Sequence, residues 1–401
     1  MKKILLITSY RIFPPQTGGH IRTAVTAKAL ARLGYPVHLY CFAGRQEDYG
    51  GASQKREGIE PNLVQQTHLG LGIGLTQAVL RRLGYPRHWQ HALMRRGWVP
   101  ATLKAALREA DLVISDMPYC PPIPGPWRDK PWFLLSHNLE FRLLELGSAR
   151  ERGLVAWMRA VEREVPKTFT DVLTCAEEDR DFFRAHDPSG SLKLPILRAG
   201  VDPAMYRFPA GMRETLRRSL GIEEDERVVL FTGSRFAPNI ESLESLLAFA
   251  RREAAELTRL KIRLLLVGSM CATPSQEGRV IITGRVEEVL PYFAAADAGL
   301  NPVITGSGAN VKLFEYMAAR LPVISTHFGV RGTALQPGVD YVVYDREQPL
   351  VALKALVAKR RDEWAEATEA VWQRHRSGID IEELVRDAIA VLPDFQARAA
   401  H

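Results

Sequence analysis

The chain has 401 residues, of which 46% are hydrophobic and 25% are charged, and this is the composition of an ordinary globular protein. One hydrophobic core rarely suffices at this length, so we expect two domains. No apolar stretch approaches the ~20 residues of a membrane-spanning helix, and the first apolar run is too short for a signal peptide. A membrane-spanning helix is therefore not expected.

The four cysteines are scattered and include no CxxC pair: Cys41, Cys120, Cys175 and Cys271. This spacing supports neither a disulfide framework nor a zinc site, and it favours a cytosolic protein. The net charge of +7 admits three kinds of partner, namely nucleic acid, anionic lipid and a phosphate-bearing substrate. Nucleic acid is the least favoured of these, because the chain has no basic helix, zinc finger or aromatic RNA-binding motif.

The first elements predict half of a Rossmann-like domain. Residues 2–9 are typical of a buried strand, a helical pattern of apolar residues follows as far as Gly34, and residues 37–42 predict a second strand. The loop after the first strand contains Gly18 and Gly19. It does not fit the G-x-G-x-x-G pattern, which argues against a nicotinamide dinucleotide. A plain strand-to-helix turn is an equally good interpretation of Gly18.

The segment from Gly70 to Ala110 has a distinct composition. Aliphatic residues are interleaved with arginines, and three large aromatic residues are present: Tyr85, Trp89 and Trp98. Such a mixture is typical of a segment that lies on an anionic membrane surface. An equally open alternative is that the aliphatic side chains belong to the core and the arginines to a solvated face.

Residues 132–140, WFLLSHNLE, predict a buried strand that ends in a polar loop. Ligands of open α/β sheets bind at the carboxyl ends of the strands, and His137 falls at such an end. A loop histidine is otherwise more often a solvated or capping residue, so this position alone leaves the role of His137 open.

From residue 227 the alternation of strands and helices begins again. Apolar runs predict strands at residues 227–232, 262–268, 280–282, 298–303 and 323–325. Arg235 follows the first of these strands, and Arg285 with Val286 follows the third. Residues 350–372 and 381–391 predict helices.

The most informative stretch is GLNPVITGSGANVKLFEYMAARLPVIST, residues 299–326. A strand breaks at a glycine-rich loop, and a helix follows from about residue 309 to 319. An anion fits at such a helix N-terminus, and the glycines let the backbone approach a phosphate. Glu315 lies two turns beyond Ser307 on the same face, where its carboxylate can accept hydrogen bonds from a ribose, and Lys312 can reach the phosphates. The alternative is a plain turn before a surface helix with a Lys312–Glu315 ion pair.

Residues 306–326 resemble the nucleotide-sugar segment of retaining glycosyltransferases of the GT-B architecture, in the large family-four group. Those proteins usually carry two glutamates separated by seven residues, followed by A-x-G-x-P-V. Glu315 matches the second glutamate. Ser307 stands in place of the first, as in a branch of bacterial exopolysaccharide sugar transferases, and HNLE at residues 137–140 is similar to the H-N-x-E of the same branch.

The resemblance implies an α/β fold of two Rossmann-like domains facing across a cleft. The acceptor domain would comprise residues 1–199 joined by a C-terminal helix at 376–401, and the nucleotide-sugar domain residues 200–375. The implied activity is that of a hexosyltransferase, which moves a sugar from a nucleotide-diphosphate sugar to a hydroxyl acceptor with retention. The acceptor would be a lipid-linked saccharide in exopolysaccharide and biofilm assembly, which a cytoplasmic protein meets at the anionic inner-membrane surface.

The resemblance also implies a donor site in the second domain. Glu315 would hold the ribose, and Lys312 together with Arg235 would offset the charge that develops on the diphosphate. The other donor-site residues lie in two loops, one bordering the base and the other the phosphates and the donor sugar: Arg285 and Val286, then Gly306, Ser307, Gly308 and Asn310.

In the first domain, His137 would border the transferring sugar, and Gly18 with Gly19 would border the donor phosphates or the acceptor. The predicted catalytic residues are His137, Ser307 and Lys312. No metal or other cofactor is expected, because the chain lacks a D-x-D pair after a strand.

Two other functions remain open from the sequence. One is a nucleotide-sugar epimerase of the same fold, which would transfer no sugar to an acceptor. The other is a catalytically silent GT-B subunit, which keeps the fold but has lost the first glutamate at position 307. Nucleotide-sugar binding without turnover would favour the silent subunit.

Overall fold

In the computed structural model the chain forms two compact units, Met1–Gly200 with Ile381–His401, and Val201–Asp380. The structure describes residues 1–13, 18–43, 53–69, 99–120, 122–145, 147, 149–271, 273–306, 311–331 and 333–396. Most of the predicted membrane-facing segment, residues 70–98, lies outside these ranges. None of the described helices is both long and apolar enough to cross a membrane.

Within the described residues, the first unit has a sheet of seven strands: β1 (Ile4–Thr8), β2 (Val37–Ala43), β3 (Ser53–Glu60), β4 (Leu63–Leu69), β5 (Leu112–Ser115), β6 (Trp132–Leu135) and β7 (Asp171–Leu173). Their spatial order is β3-β4-β2-β1-β5-β6-β7, and all neighbours are parallel except β3 and β4. Strands of a parallel sheet are apolar on both faces because helices cover both sides. β1, β5 and β6 are accordingly buried along their whole length.

Before residue 200, the described helices of the first unit are α1 (Gly18–Arg32), α2 (Ala101–Glu109), α3 (Glu140–Glu145), α4 (Ala149–Arg152), α5 (Val155–Arg163), α6 (Val165–Thr168) and α7 (Glu177–Ala185). One face of the sheet packs against α1, and the other packs against α2, α5 and α7. The carboxyl ends of β1, β5 and β6 therefore lie side by side at one edge, between two helical layers.

The second unit repeats this plan, with seven strands among its described residues: β8 (Arg227–Thr232), β9 (Ile262–Val267), β10 (Ser275–Glu277), β11 (Val280–Gly284), β12 (Ala298–Asn301), β13 (Val323–Ser325) and β14 (Val342–Val343). The order is β10-β11-β9-β8-β12-β13-β14, and only the β10–β11 pair is antiparallel. The strand predicted at 227–232 is confirmed. The strand expected to reach residue 303 ends at Asn301, because Pro302 has no N–H to continue a ladder.

A 3₁₀ turn at Pro203–Tyr206 opens the second unit. Its helices are α8 (Met212–Ser219), α9 (Ala237–Arg252), α10 (Ala254–Arg259), α11 (Leu290–Ala295), α12 (Val311–Ala318), α13 (Pro349–Ala358) and α14 (Arg361–His375). The chain then returns to the first unit, where α15 (Ile381–Ala390) shares a core cluster with α1.

The prediction of one helix at residues 350–372 was wrong, because α13 and α14 are separate. Arg360 has an extended backbone between them, with φ −71° and ψ 166°. Its N–H donates a 2.7 Å hydrogen bond to the Glu363 carboxylate, which caps the new helix. The apolar periodicity continues through the break, so periodicity alone does not reveal it.

At the amino end of β12, a buried carboxylate fastens α8 and α14 to the sheet. Oδ1 of Asp297 accepts hydrogen bonds of 2.7 Å from Arg213 and from Arg361, and Oδ2 accepts from Arg217 (3.1 Å) and from the N–H of Val228 (2.8 Å). Burial opposes ionisation, but these donors and positive charges hold the pKa of Asp297 below its ordinary value. The opposite, carboxyl edge of this sheet carries the predicted donor residues.

The contact between β12 and α12 sets the position of that helix. Gly299 has no side chain, and a Cβ placed on it would lie 2.1 Å from Cγ of Tyr316. Tyr316 is fully buried, and its hydroxyl donates to the carbonyl of Leu300 (3.2 Å) and accepts from the N–H of Thr232 (3.2 Å). The tyrosine therefore lies directly on the strand and joins α12 to two strands of the sheet.

We expect Gly299→Ala to lower the free energy of unfolding by about 1–3 kcal/mol, because the added methyl meets a buried ring that cannot move aside. Chemical denaturation measures this change. Gly378→Ala is the control, since no atom lies within 4 Å of a Cβ at that position. Equal stability of the two variants would contradict a tight contact between α12 and β12.

Candidate functional site

The glycine-rich loop joins β12 to α12 at the carboxyl edge of the second sheet. Gly306 has φ +128°, a left-handed conformation that favours glycine. A Cβ on it would lie 3.4 Å from Cγ of Pro238, in the first turn of α9. The loop after β12 therefore lies against the loop after β8. The predicted residues Ser307, Gly308 and Asn310 lie outside the described residues.

Lys312, in the first turn of α12, is held by α9. Its Nζ donates a 2.8 Å hydrogen bond to Oδ1 of Asn239 and lies 4.7 Å from the centroid of the Phe231 ring. Burial lowers the pKa of Lys312 to about 8, and the Glu315 carboxylate acts in the opposite direction. A poorly solvated ammonium is thus held near the N-terminus of α12, where the helix dipole also favours an anion.

Glu315, one turn further along α12, is only 8% exposed. Its Oε1 accepts a 2.9 Å hydrogen bond from the hydroxyl of Tyr206. Burial raises the pKa of Glu315, whereas the Tyr206 hydrogen bond and the charge of Lys312 lower it. Lys312 and Glu315 are therefore not a surface ion pair, because Glu315 is buried and each side chain bonds to a different element.

The other predicted donor residues lie in neighbouring loops. Arg235 follows β8, where its N–H donates to Oγ of Ser269 (3.1 Å) and its side chain is exposed. Arg285 and Val286 follow β11, with Arg285 exposed and Val286 half-buried. The structure thus places all the described donor-site candidates at the carboxyl ends of parallel strands of one sheet: Arg235, Arg285, Val286, Gly306, Lys312 and Glu315.

In the first unit, Asp116 is the centre of a buried polar cluster. It follows β5, has no exposed surface, and accepts hydrogen bonds from the hydroxyls of Thr8 (2.9 Å) and Thr23 (2.8 Å). Its Oδ1 also lies 2.5 Å from Nε2 of His137. Asp116 therefore joins the end of β1, the helix α1 and the loop after β6 at the carboxyl edge of the sheet.

Both ring nitrogens of His137 have protein partners. Nδ1 lies 3.2 Å from Nη1 of Arg22, and because a guanidinium only donates, Nδ1 must accept. Nε2 therefore carries the proton and donates it to Asp116. Arg22 is itself fixed, since it donates to the carbonyls of Ser136 and Leu197 at 2.7 Å each. In this arrangement His137 offers a ligand the edge of its ring and no free nitrogen.

Gly18 and Gly19 form the first residues of α1. The carbonyl of Gly19 accepts a 3.2 Å hydrogen bond from the hydroxyl of Thr23, which links this turn to Asp116. No atom lies within 4 Å of where a Cβ on Gly18 would stand. Packing among the described residues therefore does not require a glycine at position 18.

Acidic residues surround the start of α3, directly after His137. The carboxylate of Glu162 accepts hydrogen bonds from the N–H groups of Glu140 (2.7 Å) and Phe141 (3.1 Å) and so caps the helix. Burial raises the pKa of Glu140 to about 7, that of Glu162 to about 8 and that of Asp179 to about 6. These groups keep protons at pH values where exposed carboxyls have lost them.

Sequence reasoning missed Asp116, Tyr206 and Asn239. Asp116 had a usable signal, because it directly follows a buried strand at the edge where ligands bind. Asn239 lies in the first turn of α9, and no spacing in the sequence links it to Lys312. Nothing in the sequence near Tyr206 points to Glu315, which lies more than a hundred residues away.

Two parallel α/β sheets of this kind, each with polar residues at its carboxyl edge, have the two-domain fold of GT-B glycosyltransferases, and the predicted α/β fold of two Rossmann-like domains is confirmed. Sucrose-phosphate synthase from Thermosynechococcus elongatus matches with a TM-score of 0.63 and 18% identity, over 97% of this chain and 95% of that one. HepE from Anabaena, in complex with UDP and glucose, matches with a TM-score of 0.62 and 13% identity, over 98% and 99% of the two chains.

Sequence comparison gives two further similarities. The family of group 1 glycosyl transferases matches residues 226–372. D-inositol 3-phosphate glycosyltransferase from Geodermatophilus obscurus is 29% identical over 227 residues, which is 51% of this chain and 47% of that protein. The match thus spans about half the length of that relative. Residues 226–372 of this chain are thus similar to group 1 glycosyl transferases.

Glu162 predicts a stability that depends on pH. Its carboxyl keeps a proton up to about pH 8 in the folded chain, but loses it near 4.5 once the chain unfolds. The folded protein therefore binds the extra proton in this window, and its stability falls as the pH rises through it. We expect Glu162→Gln to make this decline less steep, as measured by thermal unfolding in buffers between about pH 5 and about pH 8.

Glu164→Gln is the matched control, because Glu164 is exposed on the neighbouring turn. It should leave the pH dependence as it is in the unaltered protein. A decline that is equally steep in Glu162→Gln would show that Glu162 does not hold a proton in the folded chain.

Proposed function

We propose that this chain is a retaining glycosyltransferase, which moves a sugar from a nucleoside-diphosphate sugar to a hydroxyl acceptor. The observation that carries the proposal is α12, which holds a poorly solvated ammonium and a buried carboxylate beside the left-handed Gly306. Burying a charged group costs free energy unless an oppositely charged partner or a ligand compensates its charge. Here both charged groups lie at the sheet edge where ligands of such folds bind, within the segment that matches group 1 glycosyl transferases.

The proposed chemistry follows from these positions. Glu315 accepts hydrogen bonds from the ribose, and Lys312 with Arg235 contacts the diphosphate. During transfer the bond between the anomeric carbon and a diphosphate oxygen breaks, a bond to the acceptor oxygen forms, and the proton of the acceptor hydroxyl passes to the departing diphosphate. Negative charge then grows on the diphosphate, and a preorganised cation in a water-poor site can stabilise it by several kcal/mol. We propose that these cations fill this role without a metal.

The remaining assignments belong to the same proposal. Gly306, Ser307, Gly308 and Asn310 contact the phosphates and the donor sugar, and Arg285 with Val286 borders the base. His137 borders the transferring sugar through its ring edge, because both its nitrogens are engaged within the first unit. Gly18 and Gly19 lie near the acceptor or the donor phosphates.

The test is a screen of UDP-, ADP- and GDP-linked sugars by thermal shift, beginning with UDP-glucose because HepE was solved with UDP and glucose. A labelled form of the donor that binds is then incubated with lipid-linked acceptors, with and without EDTA. We expect transfer of label that EDTA does not suppress. Binding without any turnover would favour a silent subunit, and conversion of the donor without an acceptor would favour an epimerase.

We expect Glu315→Ala to weaken donor binding by roughly 1.5–3 kcal/mol, the range for hydrogen bonds to a charged group. Isothermal titration calorimetry measures the affinity, and Glu288→Ala, an exposed glutamate of the same unit, is the control. Unchanged affinity in a folded Glu315→Ala protein would remove this residue from the donor site.

We also propose that the acceptor is carried on lipid at an anionic inner-membrane surface, in exopolysaccharide and biofilm assembly. The support is the composition of residues 70–110, in which aliphatic side chains and tryptophans accompany several arginines. Each cation near such a surface contributes about 1 kcal/mol, so a few of them give reversible binding.

We expect cosedimentation with vesicles that contain anionic lipid, and weaker cosedimentation at high salt because salt screens the attraction. Charge reversal at four arginines should reduce it further: Arg81, Arg82, Arg95 and Arg96. Equal binding to neutral and anionic vesicles, or no binding to either, would contradict the membrane proposal.

A further inference from the structure

The second unit begins with a short segment that reaches into the candidate donor site. Val201 is its first residue, and the N–H of Val201 donates a 2.9 Å hydrogen bond to the carbonyl of Ile379 near the end of the same unit. Asp202 then caps the 3₁₀ turn, with its Oδ1 accepting from the N–H of Ala204 at 3.1 Å. Tyr206 is the last residue of this turn, so the capped turn holds its backbone in place.

The side chain of Tyr206 is fixed as well. It is 9% exposed, and its ring packs edge to face on Phe293 of α11, with ring centroids 5.4 Å apart and an interplanar angle of 70°. Its hydroxyl lies 2.9 Å from Oε1 of Glu315 on α12. The ring contact and the hydroxyl contact thus involve two different helices, and ring packing determines where the hydroxyl points.

We propose that Tyr206 is a positioning residue of the donor site, which holds one oxygen of the Glu315 carboxylate so that the other oxygen, Oε2, accepts from the ribose. The inference rests on the proposed function and adds a residue to it. A buried carboxylate without a fixed donor is free to rotate. It also gains a proton more readily than a carboxylate in water, because burial raises its pKa. A protonated carboxyl has lost part of its capacity to accept.

The charged and titratable groups around Glu315 make the effect of this hydroxyl measurable. Lys312 on the same helix and the Tyr206 hydroxyl both lower the pKa of Glu315, while burial raises it. Tyr316, the next residue, has its hydroxyl bonded to the sheet instead. Burial raises the pKa of Tyr206, and the carboxylates of Glu315 and Asp202 raise it further. Removing the Tyr206 hydroxyl therefore raises the pKa of Glu315 further.

Tyr206→Phe isolates the hydroxyl, because the ring that packs on Phe293 remains. Tyr341→Phe is the matched control: Tyr341 is a buried tyrosine of the same unit, and its hydroxyl lies 3.0 Å from Nδ1 of His327. The probes are UDP, ADP and GDP, titrated into both variants and the unaltered protein by calorimetry between about pH 6 and about pH 8.5, with melting temperatures to verify the fold.

We expect Tyr206→Phe to raise the Kd of the nucleotide that binds by about tenfold at the acid end, and by less at the alkaline end, because a higher pH opposes protonation of Glu315. Tyr341→Phe should match the unaltered protein throughout. A Kd that does not change in Tyr206→Phe, or one that rises equally at every pH, overturns the inference. An unaltered protein that binds none of the three nucleotides contradicts the proposed function itself, which is a different result from binding that ignores Tyr206.

Carbon-13 NMR of the glutamate carboxyls gives a second measurement that needs no nucleotide. Glu315→Gln identifies the signal of Glu315, and its titration is then compared between the unaltered protein and Tyr206→Phe. We expect the midpoint to move to higher pH in the variant. A midpoint that stays in place overturns the inference, whatever the nucleotide titrations show.

Discussion

Tyr316 occupies the space that a side chain at position 299 would fill, and the positions of Lys312 and Glu315 depend on this contact. Because interiors are close-packed, the missing side chain lets α12 approach β12 by about the depth of a methyl group or more. That approach carries Lys312 towards α9 and Glu315 towards the 3₁₀ turn. On a helix lying further from the sheet, the same two residues would be solvated and free to pair with each other. Backbone packing thus decides whether Lys312 and Glu315 form a surface pair or bond to separate partners.

The two units handle buried charge differently. In the second, Lys312 and Glu315 of α12 are hydrogen-bonded to neutral groups of other elements, to Asn239 and Tyr206 respectively. In the first, Asp116 is surrounded by donors, and the acids beside it, Glu140 and Glu162, keep their protons by burial. The arrangement in the second unit suits recognition of a charged group, and the arrangement in the first unit suits a rigid wall. His137 belongs to that wall, since its ring is fixed through both nitrogens.

The strands could be predicted because a parallel sheet covered on both faces leaves continuous apolar runs in the sequence. The β3–β4 pair was missed because SQKREGIE and LVQQTHL are largely polar and antiparallel at a sheet edge. In the candidate site, Glu315 and Lys312 were predictable from helix periodicity and from the loop before them, which are local features. Tyr206 and Asn239 were not, because their partners are set by tertiary packing that no spacing records. The roles assigned to Ser307, Gly308 and Asn310 stay predictions, since the described residues do not include them.

The hydrogen bond between Val201 and Ile379 has a consequence for how such a chain can be assembled. The second unit begins and ends at neighbouring points, because its first residue pairs with one near its end. The second unit is therefore an insertion into the sequence of the first unit, between Gly200 and Ile381, and its two ends are adjacent. Domains with adjacent ends tolerate insertion and permutation, because the host needs to open at a single position only. The whole second unit could thus be exchanged between proteins as one piece, with its sheet, α12 and Tyr206 transferred together.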